Sequence, residues 1–135
     1  MTEGERPEPR WLDREVALAI HDRQLAEHGG GTGVRDVGML ESALARPINA
    51  WSYGVDDPAA LAAAYAFGVA RNHPFVDGNK RTAWVLARLF LALNGRSLNF
   101  TAGEAIAAML ALAAGELTEE EMADWFRGHL RPATK

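Results

Sequence analysis

The stretch His73-Pro74-Phe75-Val76-Asp77-Gly78-Asn79-Lys80-Arg81-Thr82-Ala83 separates two apolar helical patterns and concentrates polar chemistry between them. A histidine, a carboxylate, a glycine-asparagine pair and two adjacent cations fall within nine residues. Pro74 prevents the preceding helix from continuing, because proline lacks an N–H and restricts the residue before it. The stretch therefore predicts a helix–loop–helix unit with its polar groups gathered at the loop.

Both helices of this unit have recognisable limits in the sequence. Asp57 followed by Pro58 predicts a start, since aspartate caps a helix and proline suits its first position. That pattern runs to about Asn72, with apolar residues at helical spacing. The second helix begins near Gly78 or Asn79 and is expected to end at Asn94-Gly95.

The N-terminal part of the chain predicts two further helices. Apolar residues at helical spacing indicate a helix from about Trp11 to Glu27, which Gly29-Gly30-Gly31 ends. Asp36 can cap a second helix, which we expect Pro47 to close.

The C-terminal part adds two helices, each opened by a capping box. Thr101 pairs with Glu104, and Thr118 pairs with Glu121. In this pattern the side chain of each residue accepts a hydrogen bond from the backbone N–H of the other. Residues 97–100 are the one short extended candidate. The sequence predicts an all-α fold, a single compact domain of about six helices.

Length and composition limit the protein class. A chain of 135 residues is typical of one domain, which we assign to residues 11–131, with residues 1–10 as a short disordered lead. A net charge of −4 gives no reason to expect nucleic-acid binding. The chain has no cysteine, no signal-peptide pattern and no apolar run of roughly 20 residues, so we expect a cytoplasmic protein without a membrane span.

The start of the helix after the loop suits a phosphate group. Helix N-termini present unpaired N–H groups and partial positive charge, and Gly78 lets a ligand approach the backbone. Lys80 and Arg81 oppose the helix dipole there unless an anion offsets the cost. This misfit indicates an anionic ligand.

The two remaining polar residues complete a possible site for a nucleotide. Asp77 could hold Mg²⁺ together with phosphate oxygens, because Mg²⁺ commonly takes one or two carboxylates. His73 has the ordinary chemistry of a general base for a hydroxyl. Each residue also has a structural alternative. Residues 77–79 could form an ordinary Asx turn and helix cap, and His73 could bind a backbone carbonyl. Lys80 and Arg81 could simply be solvated.

Several other features have plainer interpretations. Gly29 to Gly33 reads as a linker, since no strand precedes it and no Gly-Lys-Ser/Thr follows. Arg35-Asp36 is expected to make a local ion pair or cap. Phe75 is expected to anchor the core, and His21, His28 and His129 are expected on the surface.

The loop resembles the Fic/Doc superfamily motif H-x-F-x-[DE]-[AG]-N-[GK]-R, with every position filled from His73 to Arg81. Lys80, followed by Arg81-Thr82-Ala83, is similar to the Doc (death-on-curing) branch. The strings at 33–44 and 64–68 are also similar to Doc proteins. The resemblance extends over about residues 12–130 and implies a Fic-type helical fold.

The resemblance also implies roles for individual residues. His73 would be the general base, and Asp77 would ligate Mg²⁺. Gly78 and Asn79 would bind phosphate through backbone and side chain, and Lys80 and Arg81 would neutralise phosphate charge.

On this resemblance the substrate is ATP with Mg²⁺, and the activity is that of a toxin of a bacterial toxin–antitoxin pair. A Doc-type protein Ser/Thr kinase would pass the γ-phosphoryl group to a hydroxyl of a protein, with elongation factor Tu as the family's best understood target, and arrest translation. Trp84 stands where AMP-transferring Fic enzymes usually carry a second arginine. The alternatives are a nucleotide transferase and a silent Fic-fold binding module.

The expected regulatory partner is a second protein. The self-inhibitory pattern [ST]-x-x-x-E-[GN] of some Fic proteins does not occur in the sequence. The resemblance therefore implies an antitoxin whose helical segment docks on an apolar groove of the domain.

Overall fold

The computed structural model describes residues 7–131, and this part of the chain contains six α-helices and no strand. The predicted all-α fold is confirmed. The helices are α1 (Arg14–His28), α2 (Val37–Ser52), α3 (Pro58–Asn72), α4 (Asn79–Leu93), α5 (Ala102–Ala113) and α6 (Glu119–His129). None of them is long and apolar enough to cross a membrane.

The central element is α3, which packs against α2, α4, α5 and α6. Its alanine-rich sequence buries side chains on nearly all sides, and small side chains allow neighbouring helices to approach closely. At Gly68 an added Cβ would lie 3.2 Å from the Cα of Ala43 on α2. The crossing of α2 and α3 therefore depends on the absence of a side chain at Gly68.

Two helix limits differ from those predicted. The prediction that Pro47 closes α2 is wrong, because the helix continues through it to Ser52. Pro47 is buried, so packing of this face outweighs the lost hydrogen bond. At the other end of the fold, α1 begins after its cap Asp13, while Trp11 precedes it and stacks on Phe90.

Of the predicted disordered lead at 1–10, residues 1–6 lie outside the described residues. Residues 7–10 have no regular secondary structure and lie against the end of α4. The Arg10 N–H donates to Asn94 Oδ1 at 2.9 Å, and Asn94 Nδ2 donates to the Arg10 carbonyl at 3.1 Å.

The extended candidate at 97–100 forms a single antiparallel bridge, between Leu98 and Leu130, rather than a strand. A second bridge joins Val34 to Phe75. This second bridge brings the segment after α1 onto the loop between α3 and α4.

Candidate active site at the α3–α4 loop

His73 ends α3 in a left-handed backbone conformation. Its φ is 49°, and it is the one non-glycine residue with positive φ in the described chain. The His73 N–H still donates to the Val69 carbonyl at 3.3 Å, so the chain turns away directly after the last helical bond. The side chain is exposed. Such backbone positions cluster at functional sites.

Asn79 holds the loop closed from the first turn of α4. Its side chain is buried, its Oδ1 accepts the Phe75 N–H at 3.0 Å, and its Nδ2 donates to the Phe75 carbonyl at 3.0 Å. Both polar atoms of the amide are therefore engaged by the backbone of one residue. These bonds give the side chain a structural role, and its predicted part in phosphate binding stays a prediction.

The other side of the loop rests on α1. Phe75 is 1% exposed, which confirms it as a core anchor, and its ring stacks on the His21 ring at a centroid distance of 3.8 Å. His21 Nε2 lies 2.8 Å from the Asp77 carbonyl oxygen. Because a carbonyl only accepts, Nε2 carries the proton of this bond. The prediction of a surface position for His21 is wrong, since the residue is only 2% exposed.

The segment after α1 adds a second layer of backbone bonds. The Arg35 N–H donates to the Pro74 carbonyl at 2.7 Å, and the Val76 N–H donates to the Gly33 carbonyl at 3.1 Å. The Arg35 guanidinium donates to the carbonyls of His73 at 2.7 Å and Asn72 at 3.0 Å. Arg35 thus caps the last carbonyls of α3, which are distant in sequence, whereas a local ion pair or cap was predicted.

Asp77 presents an exposed carboxylate at the start of α4. Its Oδ1 accepts the Gly78 N–H at 2.8 Å, and its Oδ2 accepts the Gly31 N–H at 3.4 Å. No cluster of three or more metal-ligating side chains occurs in residues 7–131. A single exposed carboxylate fits Mg²⁺ when phosphate oxygens and waters supply the other ligands.

The first turn of α4 itself carries two cations and no acidic side chain, and the Asp77 carboxylate lies just before it. Gly78 caps the helix without a side-chain bond, and the turn contains no acidic residue. The side chains of Lys80 and Arg81 are exposed and have no hydrogen bond or ion pair with any other residue in the described range. The same holds for the His73 ring. Helix dipole and side chains together favour an anion at this position.

Comparison with known proteins agrees with this geometry. The model of the Fic/DOC family matches residues 11–91. The chain belongs to the Fic/DOC family. It is 48% identical over 91 residues to "Toxin Doc" of Mycolicibacterium smegmatis, covering 65% of this chain and 67% of that protein. It is 34% identical over 119 residues to "Protein kinase doc" of Escherichia phage P1, covering 87% of this chain and 94% of that protein.

At position 84, where AMP-transferring Fic enzymes usually carry a second arginine, this chain has a tryptophan that packs against other aromatic rings. Trp84 packs in an aromatic cluster, with ring centroids 5.2 Å from Phe100, 5.5 Å from Trp125 and 5.9 Å from Phe126. Position 84 thus belongs to the packing between α4 and α6.

Sequence reasoning missed the supports of the site. His21 follows the buried Ala17 by one helical turn, and this spacing on an apolar stripe was the available signal. The glycine run 29–33 was predicted as a linker and does connect α1 to α2, but it also contacts Asp77. That contact joins residues 46 positions apart, so no local pattern reveals it.

Proposed function

We propose that this protein is a Doc-type toxin that transfers the γ-phosphoryl group of ATP to a serine or threonine hydroxyl of a protein, with elongation factor Tu as the expected target. The observation that carries the proposal is the unpaired pair Lys80 and Arg81 at the start of α4, beside the exposed His73 and Asp77. The names of the two relatives, a toxin and a protein kinase, support it.

In the proposed reaction the target hydroxyl oxygen forms a bond to the γ-phosphorus, and the bond from that phosphorus to the β–γ bridging oxygen breaks. His73 accepts the hydroxyl proton, and ADP leaves with the bridging oxygen. Mg²⁺, when bound, supplies charge neutralisation on the phosphates. The chain itself positions the groups: Asp77 offers the metal its carboxylate, while Lys80 and Arg81 stabilise the charge on the phosphate oxygens.

Two features favour γ-phosphoryl transfer over AMP transfer. Lys80 places a side-chain cation where AMP-transferring Fic motifs have glycine. Position 84 holds a tryptophan packed among aromatic rings instead of the second arginine that AMP-transferring Fic enzymes usually carry. The backbone N–H groups of the first turn remain available to phosphate because the buried side chain of Asn79 does not occupy them.

Labelled ATP tests the direction of transfer. Purified protein is incubated with elongation factor Tu and Mg²⁺, using ATP labelled at either the γ- or the α-phosphate. We expect γ-label on the target, no α-label, and no transfer by His73→Ala. Transfer of α-label without γ-label would replace the kinase with a nucleotide transferase, and no transfer of either label to any protein would favour a binding module.

We propose further that an antitoxin restrains this activity in the cytoplasm, where ATP and the translation machinery are found. A shallow groove of about 310 Å³ follows the outer face of α4 and includes Val85, Leu89 and Leu98. Arg88 and Arg96 also line it. Apolar residues together with two cations suit an amphipathic helix that also carries acidic side chains.

Growth assays test this partner. Expression alone is expected to arrest bacterial growth, and expression with the antitoxin from a neighbouring reading frame is expected to relieve the arrest. Leu89→Asp should keep the toxicity but lose the relief. Ile106→Asp, on the exposed face of α5, is the surface control and should behave as wild type, and a urea midpoint checks that Leu89→Asp, whose side chain packs partly against the core, is folded. Full relief of Leu89→Asp would remove this groove from the interaction.

A further inference from the structure

We infer that α1 and the glycines that follow it position the Asp77 carboxylate, with His21, Gly30 and Gly31 acting together as an Asp77 clamp. This inference rests on the proposed function, because it assigns these residues to the presentation of the metal-ligating group. None of the three belongs to the motif from His73 to Arg81. They reach Asp77 from another helix and from the segment that the sequence presents as a linker.

His21 fixes the main chain of Asp77. Its Nε2 donates to the Asp77 carbonyl at 2.8 Å, and its ring stacks on Phe75 with planes 8° apart. Because the ring is 2% exposed, water cannot readily replace this donor. The Cα of Asp77 is therefore held against α1 independently of any ligand.

Gly31 and Gly30 fix the carboxylate itself. The Gly31 N–H donates to Oδ2 at 3.4 Å, while the Gly78 N–H donates to Oδ1 at 2.8 Å. Gly30 has φ +125°, and a Cβ there would lie 2.8 Å from Asp77 Oδ2. The glycine at position 30 thus leaves room for the carboxylate in the orientation that its two donors select.

The consequence is a ligand that is oriented before the metal arrives. Each carboxylate oxygen accepts one backbone N–H and keeps one lone pair for a cation. Groups that orient a metal ligand commonly matter by about 10- to 100-fold in metal affinity or activity when they are removed. The Asp77 clamp is expected to act on Mg²⁺ affinity, through orientation, more than on ATP affinity without metal.

The first test removes the His21 donor. Mg²⁺ is titrated into protein saturated with a non-hydrolysable ATP analogue, and the Gly78 amide resonance reports binding by NMR. His21→Phe, which keeps a ring on Phe75, is expected to raise the Mg²⁺ midpoint about tenfold or more. His21→Gln keeps an N–H donor and should recover most of the affinity. His28→Phe, an exposed histidine on the same helix, is the control.

The second test moves the carboxylate without touching α1. Gly30→Ala is expected to weaken Mg²⁺ binding by a similar factor, since its Cβ would displace Oδ2. Gly29→Ala also carries backbone strain, with φ +77°, but its Cβ would meet nothing within 4 Å. Gly29→Ala should therefore bind Mg²⁺ as wild type does.

The outcomes separate the Asp77 clamp from the proposed function. Wild-type Mg²⁺ midpoints in both His21→Phe and Gly30→Ala would overturn the Asp77 clamp and leave the kinase intact. A wild-type protein whose Gly78 resonance ignores Mg²⁺ and the analogue would overturn both. Equal losses in His21→Phe and His21→Gln, or in Gly30→Ala and Gly29→Ala, would also overturn it, because they would show general loosening. If His21→Phe does not fold, His21→Gln and the glycine pair decide the matter.

Discussion

Asn79→Ala is expected to cost far more stability than His73→Ala, although both residues belong to the same motif. The Asn79 side chain makes two 3.0 Å hydrogen bonds, one to the N–H and one to the carbonyl of Phe75. Phe75 is 1% exposed, so truncation leaves a buried donor and a buried acceptor without partners. At about 1–3 kcal/mol for each unsatisfied group, the loss is about 2–6 kcal/mol.

Urea unfolding followed by tryptophan fluorescence measures this loss. The free energy of unfolding of a domain of this kind is about 5–15 kcal/mol, so Asn79→Ala should remain folded but unfold at a clearly lower urea concentration. A loss of about 3 kcal/mol should lower the Tm by about 10 °C. His73 is exposed and makes no side-chain bond in the described residues, so His73→Ala should stay within about 1 kcal/mol of wild type.

Asn72→Ala supplies an intermediate case. Its side chain gives one bond, from Nδ2 to the Met39 carbonyl at 3.1 Å, and about 1 kcal/mol is expected. The reasoning would be refuted if Asn79→Ala unfolded at the same urea concentration as His73→Ala. Weaker ATP binding at unchanged stability would instead return Asn79 to the phosphate-binding role predicted from sequence.

Three further predictions concern charge, packing and pH. Lys80→Ala should slow γ-phosphoryl transfer about 10²-fold or more while its urea midpoint stays unchanged, because an exposed lysine contributes little to folding. Trp84→Arg should destabilise the fold by about 3 kcal/mol in the same unfolding assay, since it removes a ring from the cluster with Phe100 and Trp125. Burial raises the pKa of Tyr65 from 10.0 to about 12, so the stability that its neutral form contributes should be complete below pH 10.0 and be lost as the pH rises towards 12. Urea unfolding at a series of pH values should show this loss as about 2–3 kcal/mol in the free energy of unfolding. A midpoint of Tyr65→Phe that does not change over this range would support the prediction, and a decline equal to that of wild type would contradict it.

The helices were predictable wherever local chemistry decides them. Asp57-Pro58, Thr101 with Glu104 and Thr118 with Glu121 all open helices in the structure, as their side-chain bonds require. The end of α2 was predicted wrongly at Pro47, because the hydrogen bond that proline removes from the helix is offset by the burial of α2 against α3. That burial is a tertiary effect, which a local sequence pattern does not show.

The residues of the candidate site were predictable from the motif, but the contacts that hold the loop in place were not. The loop from His73 to Arg81 is contiguous, so its residue types can be read together. His21 and Gly31 lie 56 and 46 positions from Asp77, and their contacts depend on how α1 packs against α4. Asn79 shows the same limit, since sequence cannot tell whether an amide faces a ligand or closes its own loop.

The central claim is that this site transfers a phosphoryl group with His73 as the base. Intact-mass spectrometry of purified elongation factor Tu, after incubation with the protein, ATP and Mg²⁺, tests it most directly. The account predicts one added phosphoryl group with wild type and none with an equally stable His73→Ala. An added adenylyl group, or the same phosphoryl addition by His73→Ala, would contradict it.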